Sequence, residues 1–189
     1  MTEKPTVDAA RLREVAPGVH VIADARIPLV PNIGLIEGQD AVLVVDTGLG
    51  PANGRRVLEA ARSLARGRRL VLTTTHFHPE HAYGASAFRG AAEWIANRAQ
   101  GEDLAAKGRP YLDLFRGMSP DVAAALEGTQ LGAPDRLWDG AEHRIDLGGR
   151  AAVLRTWGAA HTRGDQVVSV PDAGVLFAGD LAEERIFPI

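Results

Sequence analysis

The sequence predicts an α/β protein, and three features carry that reading. Short apolar, β-favouring runs bounded by Gly, Pro, Asn and Asp recur along the chain, and helix-spaced segments lie between them. A purely β texture returns from Arg136 onward, so two β-rich halves divide near residue 130. At 189 residues, with 46% apolar and 24% charged side chains, the chain is long enough for one domain with a real core, read as a single unit over 1–189.

The first 17 residues are polar and are expected at the periphery, apart from a short helix around Ala9 to Val15. Val19–Ile22 alternates as a strand, with His20 a strand-surface or core residue rather than a ligand. Residues 32–37 and 41–45 read as a hairpin around Gly38-Gln39-Asp40, and Asp46-Thr47-Gly48 ends its second strand. Pro51 suits a first helical turn, and Val57, Ala60, Ala61 and Leu64 recur at helical spacing as far as Gly67. Arg55, Arg56, Arg62 and Arg66 then form a solvated face. Leu70–Thr73 is a short apolar run, read as a buried strand.

Ala92–Ala96 is a further strand, and Asn97 caps a helix over Arg98–Lys107 that Gly108 stops. Pro110–Met118 and Ser119–Leu126 are two more helical pieces, the second with Ser119 as cap and Pro120 in the first turn. Tyr111, Phe115 and Met118 share a helix face expected in the core. In the second half, Arg144–Leu147 and Ala151–Trp157 flank a Gly148-Gly149 turn, and Gln166–Val170 pairs with Val175–Ala178 across Pro171–Gly174. His143 is expected at the surface.

The chemistry-bearing stretch is Thr74-Thr75-His76-Phe77-His78-Pro79-Glu80-His81, which follows the buried strand and packs three of the six histidines and one carboxylate into six residues. In an extended segment His76, His78 and Glu80 point to one side, while Pro79 bends the chain and brings His81 to a second position. Imidazole nitrogens and a carboxylate suit zinc or another first-row divalent metal, and two alternating sets suit two metals. Cysteine is absent, so disulfides and thiolate ligands are excluded and every ligand is His, Asp or Glu. Ala82-Tyr83-Gly84-Ala85 allows close backbone approach to the metal pocket, with Tyr83 either packed in the core or a pocket wall.

The stretch resembles the HxHxDH motif of the metallo-β-lactamase superfamily, with Glu80 in place of the aspartate. The likeness continues in Val44-Val45-Asp46-Thr47-Gly48, in Gly158-Ala159-Ala160-His161 and in Ala178-Gly179-Asp180. It implies a four-layer αββα sandwich whose strand ends bring residues 76–81, His161 and Asp180 to one edge. That sandwich is C-terminally incomplete here, because the chain stops at Ile189 before the family's fifth motif and its histidine. The resemblance assigns His76, His78 and His161 to one metal and Glu80 and His81 to a second, with Asp180 between them and Asp46 orienting a ligating histidine. The extra methylene of Glu80 shifts its carboxylate by roughly 1–1.5 Å, so either the loop is rebuilt around it, the favoured expectation, or the second metal is held differently.

The implied function is metal-dependent hydrolysis of an ester, thioester, lactone, amide or phosphoester by a metal-bound hydroxide, with Glu80 and Asp180 catalytic. Two zinc ions are the expected cofactor, with iron or manganese as alternatives. An alternative reading is a mononuclear iron, persulfide dioxygenase-like oxidoreductase built on His76, His161 and Asp180; another is a truncated metal-binding module without turnover. A net charge of -3 offers no basic surface for nucleic acid. No apolar run approaches the ~18 residues needed to cross a bilayer, and the N-terminus has no apolar signal core, so a cytoplasmic protein acting on a small molecule is expected. An unpaired sheet edge at the C-terminal side is the expected route to any oligomer.

Overall fold

The computed structural model describes residues 4–184. The two chain ends read above, from Met1 and to Ile189, therefore lie partly outside the described residues. The first sheet runs in sequence order through β1 (Leu12–Ala16), β2 (Val19–Ile22), β3 (Ile33–Glu37), β4 (Ala41–Val45), β5 (Arg69–Thr73), β6 (Ala92–Asn97) and β7 (Arg136–Trp138). Pairing is antiparallel from β1 to β4 and parallel from β4 to β7. Parallel neighbours need crossovers. Helix α1 (Gly50–Ala65) joins β4 to β5, α2 (Pro79–Ala82) follows β5, and α3 (Arg98–Arg116) and α4 (Pro120–Ala125) lie between β6 and β7. The second sheet, β8 (Glu142–Asp146), β9 (Ala151–Arg155), β10 (Val167–Val170) and β11 (Val175–Phe177), is antiparallel in the order β11-β10-β9-β8.

The period-2 alternation of side chains decides the layering. Val42 and Val44 of β4 pack with α1, α3 and α4, in one core with Val57, Leu104, Leu112 and Val122. Leu43 and Val45 face the other way, into a second core with Leu154, Val168, Val170 and Phe177 of the second sheet. β4 is thus buried on both faces, as its unbroken Ala-Val-Leu-Val-Val run requires. Full burial of a residue such as Leu43 contributes about 1.5–3 kcal/mol relative to exposure. The described residues supply helices, first sheet and second sheet, three layers of the expected four.

Several expectations are corrected. The first 17 residues are not peripheral throughout: Val7 is buried, its amide donates to Asn53 Oδ1 at 2.9 Å, and β1 extends the first sheet. The helix expected over Ala9 to Val15 is a single 3-10 turn at Ala9–Arg11, because Pro17-Gly18 forms a turn, with Gly18 at φ +67°, that returns the chain as β2 beside β1. α3 is continuous through Gly108 and Pro110. A proline inside a helix costs about 3 kcal/mol, but Leu104, Leu112 and Phe115 bury one helical stripe only if the helix continues, and that burial outweighs the lost bond. Met118 falls beyond the helix end and is 58% exposed rather than in the core. β7 belongs to the first sheet, so the sheet boundary lies between residues 138 and 142 rather than near 130. His143 is half-buried and stacks on Trp138, ring centroids 5.8 Å apart, instead of standing on the surface. No helix among the described residues is long and apolar enough to cross a membrane.

Candidate metal centre

The loop after β5 is shaped by Pro79. Its fixed φ suits the first helical position, so residues 79–82 close one helical turn, and the amides of His81 and Ala82 donate to His78 O at 3.1 and 2.9 Å. This corrects the extended-segment reading. Glu80 and His81 sit on a helical turn, and both reach Asp180 rather than pointing to opposite faces of a strand. Gly84, expected to admit backbone to the pocket, instead packs on the backbone of Gly54, where a Cβ at Gly54 would lie 2.1 Å from Gly84 O.

Asp46 fixes this turn from beneath. Its backbone holds φ +68°, a left-handed conformation that Asp tolerates better than most residues. Its buried carboxylate accepts from Thr75 N at 2.7 Å, from Thr75 Oγ1 at 3.0 Å and from His81 Nδ1 at 2.9 Å. The last bond puts a His81 proton on Nδ1 and aims Nε2 at the cluster, the orienting task that metal-ligating histidines need.

A second network ties the His161 loop to the same spot. Gln166 N donates to Thr75 O at 2.9 Å, and Gln166 Nε2 donates to Thr74 O at 2.8 Å and Thr73 Oγ1 at 2.7 Å. Asn97 Nδ2 donates to Gly164 O at 2.7 Å, and Gln100 Nε2 donates to Thr74 O at 2.9 Å. Asp165 accepts from Thr162 N and Thr162 Oγ1, closing the 162–165 turn on itself. Gly164 has no room for a Cβ, which would lie 2.3 Å from Gln100 N. Gly179, at φ +56°, sits so close to Thr75 that its own Cβ would be 2.7 Å from Thr75 Cβ, which sets Asp180 against the histidines.

The side chains then converge. His161 Nε2 lies 3.0 Å from His78 Nδ1 and 3.5 Å from Asp180 Oδ2, and His76 Nε2 lies 3.7 Å from the same oxygen. His81 Nε2 lies 3.1 Å from Asp180 Oδ1. The ligand atoms of His76, His78, His161 and Asp180 form one set within 4.8 Å, and those of Glu80, His81 and Asp180 form a second. Bonds of about 2.0–2.1 Å in a tetrahedron separate neighbouring ligand atoms by roughly 3.3 Å, and the observed separations straddle that value. His76 Nε2 and Glu80 Oε2 are both buried with no hydrogen-bond partner among the described residues. Such orphaned atoms cost about 1–3 kcal/mol each, and each residue belongs to one of the two ligand sets. His20, paired with Glu37 at 2.9 Å, and His143 take no part.

The electrostatics fit a site that trades protons for cations. Burial pushes the His76 imidazole well below its ordinary range, reinforced by the neighbouring His81, His78 and His161. Burial, then His161 and His81, lowers His78 to about 4. Burial also raises Glu80 above the usual carboxylate range, with His81 opposing. On His81 burial opposes a proton, yet Asp46 and Asp180 outweigh it and hold the ring well above its usual range. A cation at Nε2 would take the place of that proton. Asp180 is raised by burial but held below its usual range by the hydrogen bond and charge of His81.

Beside the cluster opens a cavity of about 500 Å³, walled by Phe77, Tyr111, Leu114, Lys107 and Thr162. Tyr111, expected in the core, stacks on His78 with centroids 5.0 Å apart and lines this cavity. Tyr83 is packed, donating to Gly108 O at 2.7 Å. The sequence reading missed Thr75, Gln100 and Gln166; the Thr73-Thr74-Thr75 run at a buried strand end was the available signal.

The sequence model of the metallo-beta-lactamase superfamily matches residues 26–189. Among solved structures, a metallo-beta-lactamase from Pontibacter korlensis is 17% identical with a TM-score of 0.72, over 92% of this chain and 73% of that one. The DIM-1 metallo-beta-lactamase is 16% identical with a TM-score of 0.70, over 93% of this chain and 71% of that one. The Cronobacter sakazakii metallo-beta-lactamse with a HARLDQ motif is 18% identical with a TM-score of 0.62, over 86% of this chain and 61% of that one. At such identities the likeness is one of fold. No curated protein matches this chain.

Proposed function

The chain belongs to the metallo-beta-lactamase superfamily, and from that premise we propose that it is a dinuclear, zinc-dependent hydrolase of a small ester, thioester, lactone, amide or phosphoester. The observation that carries the proposal is the convergence of two ligand sets, from segments as distant as residues 76 and 180, on one edge of the sandwich. In this reading His76, His78 and His161 would hold one ion and Glu80 and His81 the other, with Asp180 common to both sets. When bound, such ions lower the pKa of water from about 15.7 towards ~7 and polarise a scissile carbonyl or phosphoryl oxygen. An imidazole and carboxylate donor set suits zinc and other first-row divalent metals, iron and manganese among them.

The chain's own residues do the rest. Asp46 keeps the His81 lone pair aimed at the cluster. Burial raises Glu80 above the ordinary carboxylate range, with His81 opposing, which suits a carboxylate that accepts a proton during turnover. Phe77 and Tyr111 give the cavity an apolar wall beside His78, which Leu114, itself 63% exposed, extends. Glu80 occupies a helical turn opened by Pro79.

The test is metal stoichiometry by elemental analysis beside hydrolysis of a lactone and thioester panel. Two zinc ions per chain with turnover are expected, and His78→Ala should lower both while His143→Ala should change neither. Equal effects from the two variants would overturn the ligand assignment. Stoichiometric iron with oxygen uptake would replace the hydrolase reading with an oxidoreductase one, and metal uptake without turnover would leave a binding module.

A further inference from the structure

The cavity wall carries a charge that the proposed hydrolysis does not use. Lys107 is the one Lys or Arg among the described residues lining the cavity, which it shares with the apolar Phe77, Tyr111 and Leu114, the carboxylates Glu80, Asp180 and Glu183, and His78, His161 and Thr162. Its Nζ stands 5.7 Å from the centroid of the Phe77 ring, and that ring lies 4.8 Å from His78. The ammonium and the ligand cluster are therefore within reach of one small molecule. Lys107 also meets Asp103 Oδ1 at 3.1 Å, and a plain structural ion pair would account for that contact. Asp103, however, also meets Arg163 Nε at 3.5 Å, an arginine it shares with Glu102, so one cation remains beside it when Lys107 turns toward the cavity.

We propose that Lys107 is a specificity-determining residue and that the substrate pairs an apolar body, seated on Phe77, Tyr111 and Leu114, with a singly charged anion such as a carboxylate. The proposal rests on the hydrolase reading of the neighbouring cluster. A lone ammonium is a point charge without the bidentate fork of a guanidinium, and Glu183 on the same wall opposes a dianion, so a carboxylate suits the site better than a phosphate.

Binding separates this inference from turnover. Calorimetric titration of the zinc-loaded chain with phenylbutyrate and with the neutral phenylbutyramide should show about a tenfold preference for the anion, the usual worth of one hydrogen bond to a charged group. Lys107→Gln should abolish that preference and leave amide binding unchanged, while Lys107→Arg keeps it. Arg163→Gln, which also removes a cation from Asp103 but does not line the cavity, should keep it as well. An anion preference that survives Lys107→Gln would mean that the metal cluster takes the carboxylate and would overturn the proposal, as would its absence in the unaltered chain. Absence of hydrolysis with the preference intact would instead count against the hydrolase reading alone.

Discussion

Replacing Asp46 by Asn changes one atom in the support of the cluster, and its effect can be worked through from the contacts. Asp46 Oδ1 accepts the Thr75 amide at 2.7 Å, so the asparagine must keep its oxygen there and place its NH2 where Oδ2 stood. That NH2 then faces His81 Nδ1 across 2.9 Å, and donor meets donor unless His81 moves its proton to Nε2. Nε2 is the atom 3.1 Å from Asp180 Oδ1 that the cluster needs as a lone pair. Loss of such an orienting partner weakens metal binding by roughly 10–100-fold, equivalent to about 1.4–2.7 kcal/mol. Competition for zinc against a chromogenic chelator measures it directly. Asn shares the tolerance of Asp for left-handed backbone, so Asp46→Asn should stay folded, whereas Asp46→Ala should add a loss of stability of about 1 kcal/mol at φ +68°. Zinc affinity within twofold of the unaltered chain in Asp46→Asn would refute the orienting role.

Other outcomes follow from the same geometry. His78 and His76 titrate below the imidazole range of an unfolded chain, near 6.5, so between about pH 6.5 and 4 the unfolded state binds protons that the folded state refuses. The metal-free chain should therefore lose thermal stability as pH falls through that window. His81, shifted upward, acts in the opposite sense, giving stability below 6.5 that is lost as pH rises. His78→Gln should flatten the acid-side fall in a melting series, and an unchanged slope would count against it. Gly179→Ala would drive a Cβ to within 2.7 Å of Thr75 at a φ of +56° and should cost about 1–3 kcal/mol, with zinc affinity falling alongside in the chelator assay.

What could be read in the sequence was whatever is local. The spacing of His76, His78, Glu80 and His81, the strand ends before Asp46 and His161, and the caps at Asn97 and Ser119 are short-range patterns, and the structure has strands and caps there. The continuity of α3 was hidden because Pro110 argues for a break, and only the packing of Leu112 and Phe115 against the first sheet overrides it. The allegiance of β7 could not be read from three residues whose partner, β6, lies some forty positions upstream. The glutamines at 100 and 166 read as ordinary polar residues, since their value depends on tertiary contacts: Gln100 on α3 meets Thr74 beside the first sheet, and Gln166 reaches Thr73 and Thr74 from the second.

The cluster draws its side chains from both sheets: residues 76–81 issue from the first, and His161 and Asp180 follow strands of the second. An ion seated there would act as a rivet through the sandwich at this edge, adding to the apolar contact, the Gln166 bonds and the backbone bonds from Gln39, Asp40 and Ala41 to Leu147 and Gly148 that already join the layers. Its removal should then loosen β8–β11 before β1–β7, so amide exchange ought to quicken chiefly in the thinner sheet when zinc is stripped. By the same coupling, a thinned interlayer contact at Leu43 or Val168, far from any ligand, would be felt as a weaker grip on the ion.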